Sequence, residues 1–167
     1  ELQYIVKHSG ARMVVTGDQE QTDKVLDAMA NNGGLPDLEA IVCIDMKGLR
    51  HYRQSELMSF EALCERGKAY GQQNPDADAT LDRLISQGTP DDVCILVYTS
   101  GTTGDPKAIP WTHVSPIKCV ADAFYMHDVR PGEILAWPTN LGWMMGPWLI
   151  FAALINEGCI ALYEGMP

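Results

Sequence analysis

The sequence predicts an α/β fold, with a layered, mostly parallel sheet and helices flanking it. Short runs rich in valine and isoleucine alternate with segments whose apolar residues recur every three or four positions, which is typical of strands joined by crossover helices. The chain has 167 residues, of which 46% are apolar. That length and composition are sufficient for one hydrophobic core of ordinary size.

The predicted elements follow one another without an internal repeat or a low-complexity tract. Ser115 is expected to cap a helix that starts at Pro116, because serine accepts a hydrogen bond from a free amide and proline suits the first helical position. Residues 74–79 are expected to form a polar break. The predicted strands are 12–16, 40–44, 93–98, 133–137 and 159–163. The predicted helices are 3–8, 23–30, 60–70, 81–86, 116–126 and 147–156.

Acidic residues are concentrated in the first part of the chain. Residues 1–92 carry 16 acidic and 9 basic side chains and residues 93–167 carry 6 and 3, so the net charge of −10 divides into −7 and −3. We expect the charge-poor second part to hold the more buried strands and the pocket walls, with Trp137 and Trp148 in its core. The acidic total disfavours a nucleic-acid partner or an anionic membrane surface. A domain boundary between residues 75 and 92 is conceivable, although each half is small for a domain.

An uncharged stretch from residue 134 to residue 156 is long enough to cross a bilayer. Proline, glycine and polar residues interrupt it, including Pro138, Asn140 and Gly146. A strand, a polar loop and a short buried helix are therefore the better interpretation, and no integral membrane segment is expected.

The five cysteines are widely spaced and form no Cys-x-x-Cys pair. Three of them, Cys43, Cys94 and Cys159, fall inside predicted strands, where cysteine acts as a small apolar residue. This usage argues against disulfides or a zinc site and indicates an intracellular compartment, the cytoplasm or, in a eukaryote, the peroxisome. Because the chain begins without methionine or a signal peptide, we expect it to start inside a longer protein.

The most informative motif follows the strand at 93–98. It reads Thr99-Ser100-Gly101-Thr102-Thr103-Gly104-Asp105-Pro106-Lys107. Glycine permits positive φ, and backbone amides, hydroxyls and a lysine ammonium together are suited to binding phosphate oxygens. The spacing is not that of a Walker A loop. The alternative is a glycine- and threonine-rich turn that binds no ligand.

This motif resembles the phosphate loop of the AMP-forming adenylating enzymes, which include acyl-CoA synthetases, adenylation domains and luciferases. Ala108 stands where that family normally has glycine. Residues 108–113 and 138–148 are similar to a subgroup related to acetyl-CoA synthetase, which includes plant acyl-activating enzymes. Asn140 stands where many relatives have aspartate.

The first half resembles a different branch of the same superfamily, the bacterial long-chain fatty-acyl-CoA synthetases. The similar segments are 18–21, 47–52 and 58–61. The two resemblances together cover nearly the whole chain and agree on the chemistry, but they disagree on the size of the acyl substrate. They identify residues 1–167 as a fragment of the large N-terminal AMP-binding (adenylation) domain, with the C-terminal lid domain absent.

The resemblance implies ATP-dependent activation of a carboxylic acid, in this case a fatty acid. The product is first an acyl-adenylate and then acyl-CoA, with release of AMP and pyrophosphate. ATP, Mg²⁺ and CoA as co-substrate are therefore expected. The family's adenine-binding segment, Mg²⁺-binding glutamate and lid lysine would follow residue 167, so the fragment itself is expected to be inactive.

The resemblance also implies the site residues. Lys107 would be the catalytic residue and would bind phosphate together with Thr99, Ser100, Gly101, Thr102, Thr103 and Gly104. The acyl pocket would include Trp143, Met144, Met145 and Gly146, and ordinary packing at a helix start is the alternative. His113 is expected near the base of the loop, with a structural or a catalytic role. No histidine and carboxylate pair has metal-ligand spacing, so no metal ligand is assigned.

Two other functions stay open at this point. One is a non-catalytic module that binds nucleotide phosphates. The other is an adenylation domain that loads a carrier protein.

Overall fold

The computed structural model describes residues 1–31, 33–99 and 106–163. The chain divides into two compact units, Glu1–Gln87 and Gly88–Pro167. The division falls inside the interval 75–92 in which the sequence suggested a boundary.

A three-stranded parallel sheet forms the centre of the first unit. Its strands are β1 (Met13–Thr16), β2 (Ala40–Cys43) and β3 (Leu57–Ser59), in the order β1-β2-β3. The helices of this unit are α1 (Leu2–Ser9), α2 (Gln19–Ala30), α3 (Phe60–Gln73) and α4 (Ala77–Gln87). All four residues of the central strand β2 are buried.

The core of the first unit joins β2 to α1 and α2. Ile41 of β2 is buried with Val6 of α1 and Val25 of α2. Leu35 and Leu38, from the segment before β2, complete this cluster. Full burial of one such side chain contributes about 1.5–3 kcal/mol, so this cluster is the main source of stability in the unit.

Local capping decides where helices of the first unit begin. The carboxylate of Asp18 accepts a hydrogen bond from the Gln21 N–H at 3.0 Å, so α2 begins at residue 19 and not at the predicted 23. The Ser59 hydroxyl accepts one from the Ala62 N–H at 3.1 Å at the start of α3. Gly10 has φ of 63° and ends α1 in the left-handed region.

The described part of the second unit contains two two-stranded sheets. Strands β4 (Val93–Thr99) and β5 (Lys107–Thr112) are antiparallel, whereas β6 (Ile134–Ala136) and β7 (Cys159–Ala161) are parallel. Helix α5 (Val114–Met126) follows β5, and helix α6 (Met145–Leu154) connects β6 to β7.

Small residues and one amide join α5 to α6. Ala123 and Ala152 are both completely buried, which allows the two helices to approach closely. The Asn156 side-chain N–H group donates to the Val120 carbonyl at 3.1 Å and to the Ala152 carbonyl at 2.8 Å. This amide ties the end of α6 to the middle of α5.

The α/β prediction with mostly parallel strands is confirmed. Each predicted strand and each predicted helix is present, with ends that differ by a few residues. The sequence analysis missed β3, which has three residues, and β5, which contains Pro110. Proline cannot donate a hydrogen bond to a strand ladder, and its presence argued against a strand.

Two local predictions were wrong. Ser115 does not cap α5, because the helix begins one residue earlier, at Val114, and His113 takes the cap position without a side-chain hydrogen bond. Residues 77–79 were expected in a polar break but form the first turn of α4. Ala77 and Ala79 favour a helix, which can start there once Asn74 ends α3.

The expectation that the charge-poor second part of the chain holds the more buried strands was also wrong. The most buried strand is β2 of the acidic first unit, whereas β4 buries only Val97 and leaves Val93 55% exposed. Trp137, expected in the core, is 43% exposed, and Trp148 is half-buried against the Ala123 and Ala152 cluster. Strand burial depends on which elements cover each face, and hydrophobicity alone does not reveal this.

In the parts of the chain that the structure describes, no helix combines the length and the apolar character needed to cross a membrane.

Candidate functional site

The hairpin of β4 and β5 determines where the predicted phosphate loop begins and ends. Thr99, the last residue of β4, pairs with Lys107, the first residue of β5, and Tyr98 pairs with Ala108. Paired residues of antiparallel strands have Cα atoms about 4.5–5.5 Å apart. The motif therefore connects two strands of a hairpin.

Most of the predicted phosphate-binding residues lie outside the described residues. These are Ser100, Gly101, Thr102, Thr103 and Gly104. Their roles stay predictions. The structure does place the two ends of the motif, Thr99 and Lys107, and shows Pro106 buried next to Lys107.

Lys107 is the one cationic side chain in the sequence from residue 93 to residue 112, and Asp105 is the one anionic side chain. The Lys107 side chain is exposed, and it takes part in none of the ion pairs that join described residues. Its pairing with Thr99 fixes its backbone at the start of β5. An exposed ammonium group is thereby held at the end of the hairpin where the motif is attached.

The opposite end of the hairpin is fastened by backbone and thiol contacts. The His113 N–H donates to the Asp92 carbonyl at 3.2 Å, and the Cys94 thiol donates to the Trp111 carbonyl at 3.3 Å. The register shifts between Val93 and Ile95, an irregularity of the kind produced by a β-bulge. These contacts hold the two strands together far from the loop.

His113 was expected near the base of the loop, and this was wrong. It follows Thr112 at the far end of β5, and six residues of extended strand separate it from Lys107 by about 20 Å. Its backbone N–H binds the Asp92 carbonyl, and the role of its side chain stays a prediction.

The predicted acyl-pocket residues lie in the connection between β6 and α6. This connection is a tight turn, in which the Asn140 side-chain carbonyl accepts from the Gly142 N–H at 2.8 Å and the Asn140 backbone carbonyl accepts from the Trp143 N–H at 2.9 Å. Trp143 is 69% exposed and Met144 46% exposed. Two of the four predicted residues therefore present their side chains at the surface.

Met145 and Gly146 have a different setting. Met145 is half-buried at the start of α6, and Gly146 is fully buried. A Cβ atom at Gly146 would lie 2.0 Å from the Leu141 carbonyl oxygen. The glycine is therefore required for the turn to fold against the first turn of α6, whatever else the segment binds.

Among the described residues, no ion pair joins Lys107 to the segment at 143–146. Both belong to the second unit. The described residues also offer no group of three histidine, cysteine or carboxylate side chains that could hold a metal ion.

Cys119 is the buried thiol of α5. Burial raises the pKa of this thiol above its ordinary value, and the neighbouring Asp122 carboxylate raises it further. The thiol therefore stays protonated at neutral pH, and Cys119 is unsuited to act as a thiolate nucleophile.

The sequence analysis missed β5 as the support of the loop. A signal was present, since Ala108-Ile109 and Trp111-Thr112 flank Pro110 with residues of strand character. Pro110 lies opposite Leu96 in the ladder.

Comparison with known proteins identifies the family of this chain. The AMP-binding enzyme family matches residues 1–167, the whole of this chain. The chain belongs to this family. The match agrees with the resemblance found in the loop sequence.

Three similar proteins illustrate the match. The probable acyl-activating enzyme 17, peroxisomal, of Arabidopsis thaliana is 61% identical over 72 residues, which are 43% of this chain and 10% of that protein. The long-chain-fatty-acid–CoA ligase ACSBG1 of Rattus norvegicus is 30% identical over 132 residues, 79% of this chain and 17% of that protein. The crystal structure of acetoacetyl-CoA synthetase from Streptomyces lividans superposes with a TM-score of 0.66 at 23% identity, over 99% of this chain and 24% of that one.

The first two relatives correspond to the two resemblances, to plant acyl-activating enzymes and to long-chain synthetases. The chain spans 10% and 17% of their lengths. The superposition on acetoacetyl-CoA synthetase supports the fold of the AMP-binding family.

A substitution of Gly146 tests whether its absent side chain is a structural requirement. We expect Gly146→Ala to destabilise the protein by about 1–3 kcal/mol, because the added methyl group would overlap the Leu141 carbonyl. The free energy of unfolding is measured by urea titration followed by circular dichroism.

The matched control is Gly67→Ala in α3, where no atom lies within 4 Å of the added Cβ. This change is expected to stabilise the helix by about 0.5–1 kcal/mol. Equal effects of the two substitutions would contradict the packing role of Gly146.

Proposed function

We propose that this chain contributes the nucleotide-phosphate hairpin of an ATP-dependent acid–CoA ligase. The full protein would convert a carboxylic acid to an acyl-adenylate with release of pyrophosphate, and then to acyl-CoA with release of AMP. The observation that carries the proposal is the pairing of Thr99 with Lys107, which places an exposed ammonium group at one end of the phosphate-loop motif. Membership of the AMP-binding enzyme family supports the use of ATP.

The hairpin suits the electrostatic problem of this reaction. A carboxylate attacks the α-phosphorus of ATP, so two anions have to approach each other, and negative charge builds up on the departing pyrophosphate. Lys107 is the one cationic side chain between residues 93 and 112, and its ammonium would attract the phosphate oxygens. The hydroxyls of Ser100, Thr102 and Thr103 would donate hydrogen bonds to the same oxygens.

The loop would position the nucleotide and stabilise the leaving group without forming a covalent bond to it. In this proposal the carboxylate of the substrate is the nucleophile for the first step, and the CoA thiol is the nucleophile for the second. No serine or cysteine of the chain is needed as a nucleophile, in keeping with the protonated state of Cys119.

Mg²⁺ is expected for a nucleotide ligase, but the described residues do not fit it. They lack a group of three histidine, cysteine, aspartate or glutamate side chains that could hold a metal ion. We therefore derive no step of the reaction through a metal held by these residues.

We propose a fatty acid as the substrate, with Trp143 and Met144 against its acyl chain. Both side chains are largely exposed at a tight turn, and the thioether of methionine adapts to apolar surfaces of different shape. The name of the rat relative, a long-chain-fatty-acid–CoA ligase, supports this class.

Residues 1–167 alone are proposed to be inactive, since the chain spans a minor part of its relatives' length.

Replacement of Lys107 tests the phosphate role in the full-length protein. We expect Lys107→Ala to lower kcat/KM in ATP–pyrophosphate exchange by about 30- to 1,000-fold, corresponding to about 2–4 kcal/mol of lost transition-state stabilisation. The exchange is measured with acids of increasing chain length and is followed by a thioester assay with CoA.

The control variant is Lys68→Ala, which removes an exposed lysine of α3 that pairs with Glu65. It is expected to leave the exchange rate unchanged, because surface ion pairs contribute little. Unchanged kinetics in Lys107→Ala would rule out the phosphate role. Saturable ATP binding without exchange for any acid would indicate a non-catalytic module.

The substitution Met144→Trp tests the acyl role. A larger side chain should shift the preference toward shorter acids, by about fourfold in kcat/KM for each excluded methylene, since a methylene contributes about 0.8 kcal/mol. The ratio of kcat/KM values for long and short acids is the readout, and Met126→Trp, at a 77% exposed position of α5, is the control. If Met144→Trp leaves the ratio of kcat/KM values for long and short acids unaltered, Met144 is a surface residue that does not contact the acyl chain.

A further inference from the structure

A cavity of about 430 Å³ lies beside β6 in the second unit. Its walls come from β6 and the residue after it, from the first half of α6, and from the segment that links α5 to β6. Cavities above about 300 Å³ are large enough to hold small molecules. Of the described residues assigned to the phosphate loop or to the acyl chain, which are Thr99, Lys107 and residues 143–146, none lines this cavity.

Three aromatic rings stand together at the cavity. The Trp148 ring lies 5.7 Å from the Trp137 ring, with 61° between their planes, and 5.5 Å from the His127 ring, with 79° between their planes. Rings inclined so steeply form adjoining walls of an enclosure and do not stack on one another. Trp137 is 43% exposed in this chain.

The charge of the lining restricts what the cavity would take. Among the described residues that line the cavity, Glu133 is the one carboxylate, and none is a lysine or an arginine. The Glu133 carboxylate accepts a hydrogen bond from the Arg130 backbone N–H at 2.8 Å, a contact that orients it without neutralising its charge. Indole faces and a carboxylate both attract positive charge, whereas an anion would find no counter-charge here.

We propose that this cavity is a binding site for a small organic cation with an alkylated ammonium group. Trp137 and Trp148 supply the ring faces for cation–π contacts, and Glu133 supplies the negative charge. The aliphatic part of the lining, which includes Val129 and Leu149, accommodates the alkyl groups. The test of this site is a binding measurement that does not depend on activity.

Choline and 3,3-dimethyl-1-butanol form the matched pair of probes, since the second replaces the quaternary nitrogen of choline with a neutral carbon. Equilibrium dialysis with the full-length protein measures both dissociation constants. We expect choline to bind at least about tenfold more tightly than the neutral alcohol, because only choline gains the electrostatic part of the cation–π contact.

Variants of the lining assign the binding to the cavity. We expect Trp137→Leu to weaken choline binding by about tenfold or more and Glu133→Gln by about threefold. Trp137 is the better target than Trp148, because Trp148 also packs against the buried Ala123 and Ala152 cluster. Circular dichroism checks that each variant is folded.

The controls are Tyr125→Leu and Glu157→Gln. They remove an exposed aromatic ring and an exposed carboxylate of the same unit that do not line the cavity. Neither should change choline binding. Equal affinities for the two probes would show an apolar cavity without preference for a cation and would overturn the proposal. An absence of choline binding, or choline binding that Trp137→Leu leaves intact, would also overturn it.

Discussion

The antiparallel ladder between β4 and β5 holds Thr99 directly opposite Lys107. This pairing fixes both ends of the phosphate-loop motif within a few ångströms of each other and keeps a lysine ammonium at its end. It also fixes the direction of the chain that follows, because β5 leads through His113 into α5. The position of α5 then determines where α6 packs. A change of register in this hairpin would separate Lys107 from Thr99.

In the second half of this unit, the packing of α5, α6 and the turn after β6 depends on steric fit. The buried alanines at 123 and 152 allow α5 and α6 to pack closely, and Asn156 joins the two helices by hydrogen bonds to carbonyls of both. Gly146 lets the turn after β6 lie against the start of α6. The exposed Trp143 and Met144 therefore sit on a turn whose backbone is fixed by packing and by Asn140. A rigid turn that presents adaptable side chains is a suitable surface for apolar ligands of different lengths.

The sequence predicted much of the fold because the spacing of apolar residues and the capping of helix ends are local properties. Helix α2 follows the spacing of its apolar residues, α6 lies in a continuous apolar run, and the strands β1, β2 and β4 follow runs of branched residues. The three-residue strand β3 gave too short a signal, and Pro110 hid β5. The exposure of Trp137 and the small area buried by β4 depend on contacts between distant segments, which no local pattern contains. For the site, the roles of Lys107 and its loop stay predictions from the motif, whereas the β4–β5 hairpin and the placement of His113 at the far end of β5 came from the structure alone.

Selective modification of lysine side chains tests the central claim most directly. The full-length protein is acetylated with a limiting amount of acetic anhydride at increasing ATP concentrations, and the extent of modification at each lysine is measured by mass spectrometry. If Lys107 binds the nucleotide phosphates, ATP should protect it in a saturable manner while Lys68, which is exposed on α3, is modified at an unchanged rate. Modification of Lys107 at the same rate with and without ATP would contradict the assignment of the β4–β5 hairpin as the phosphate site.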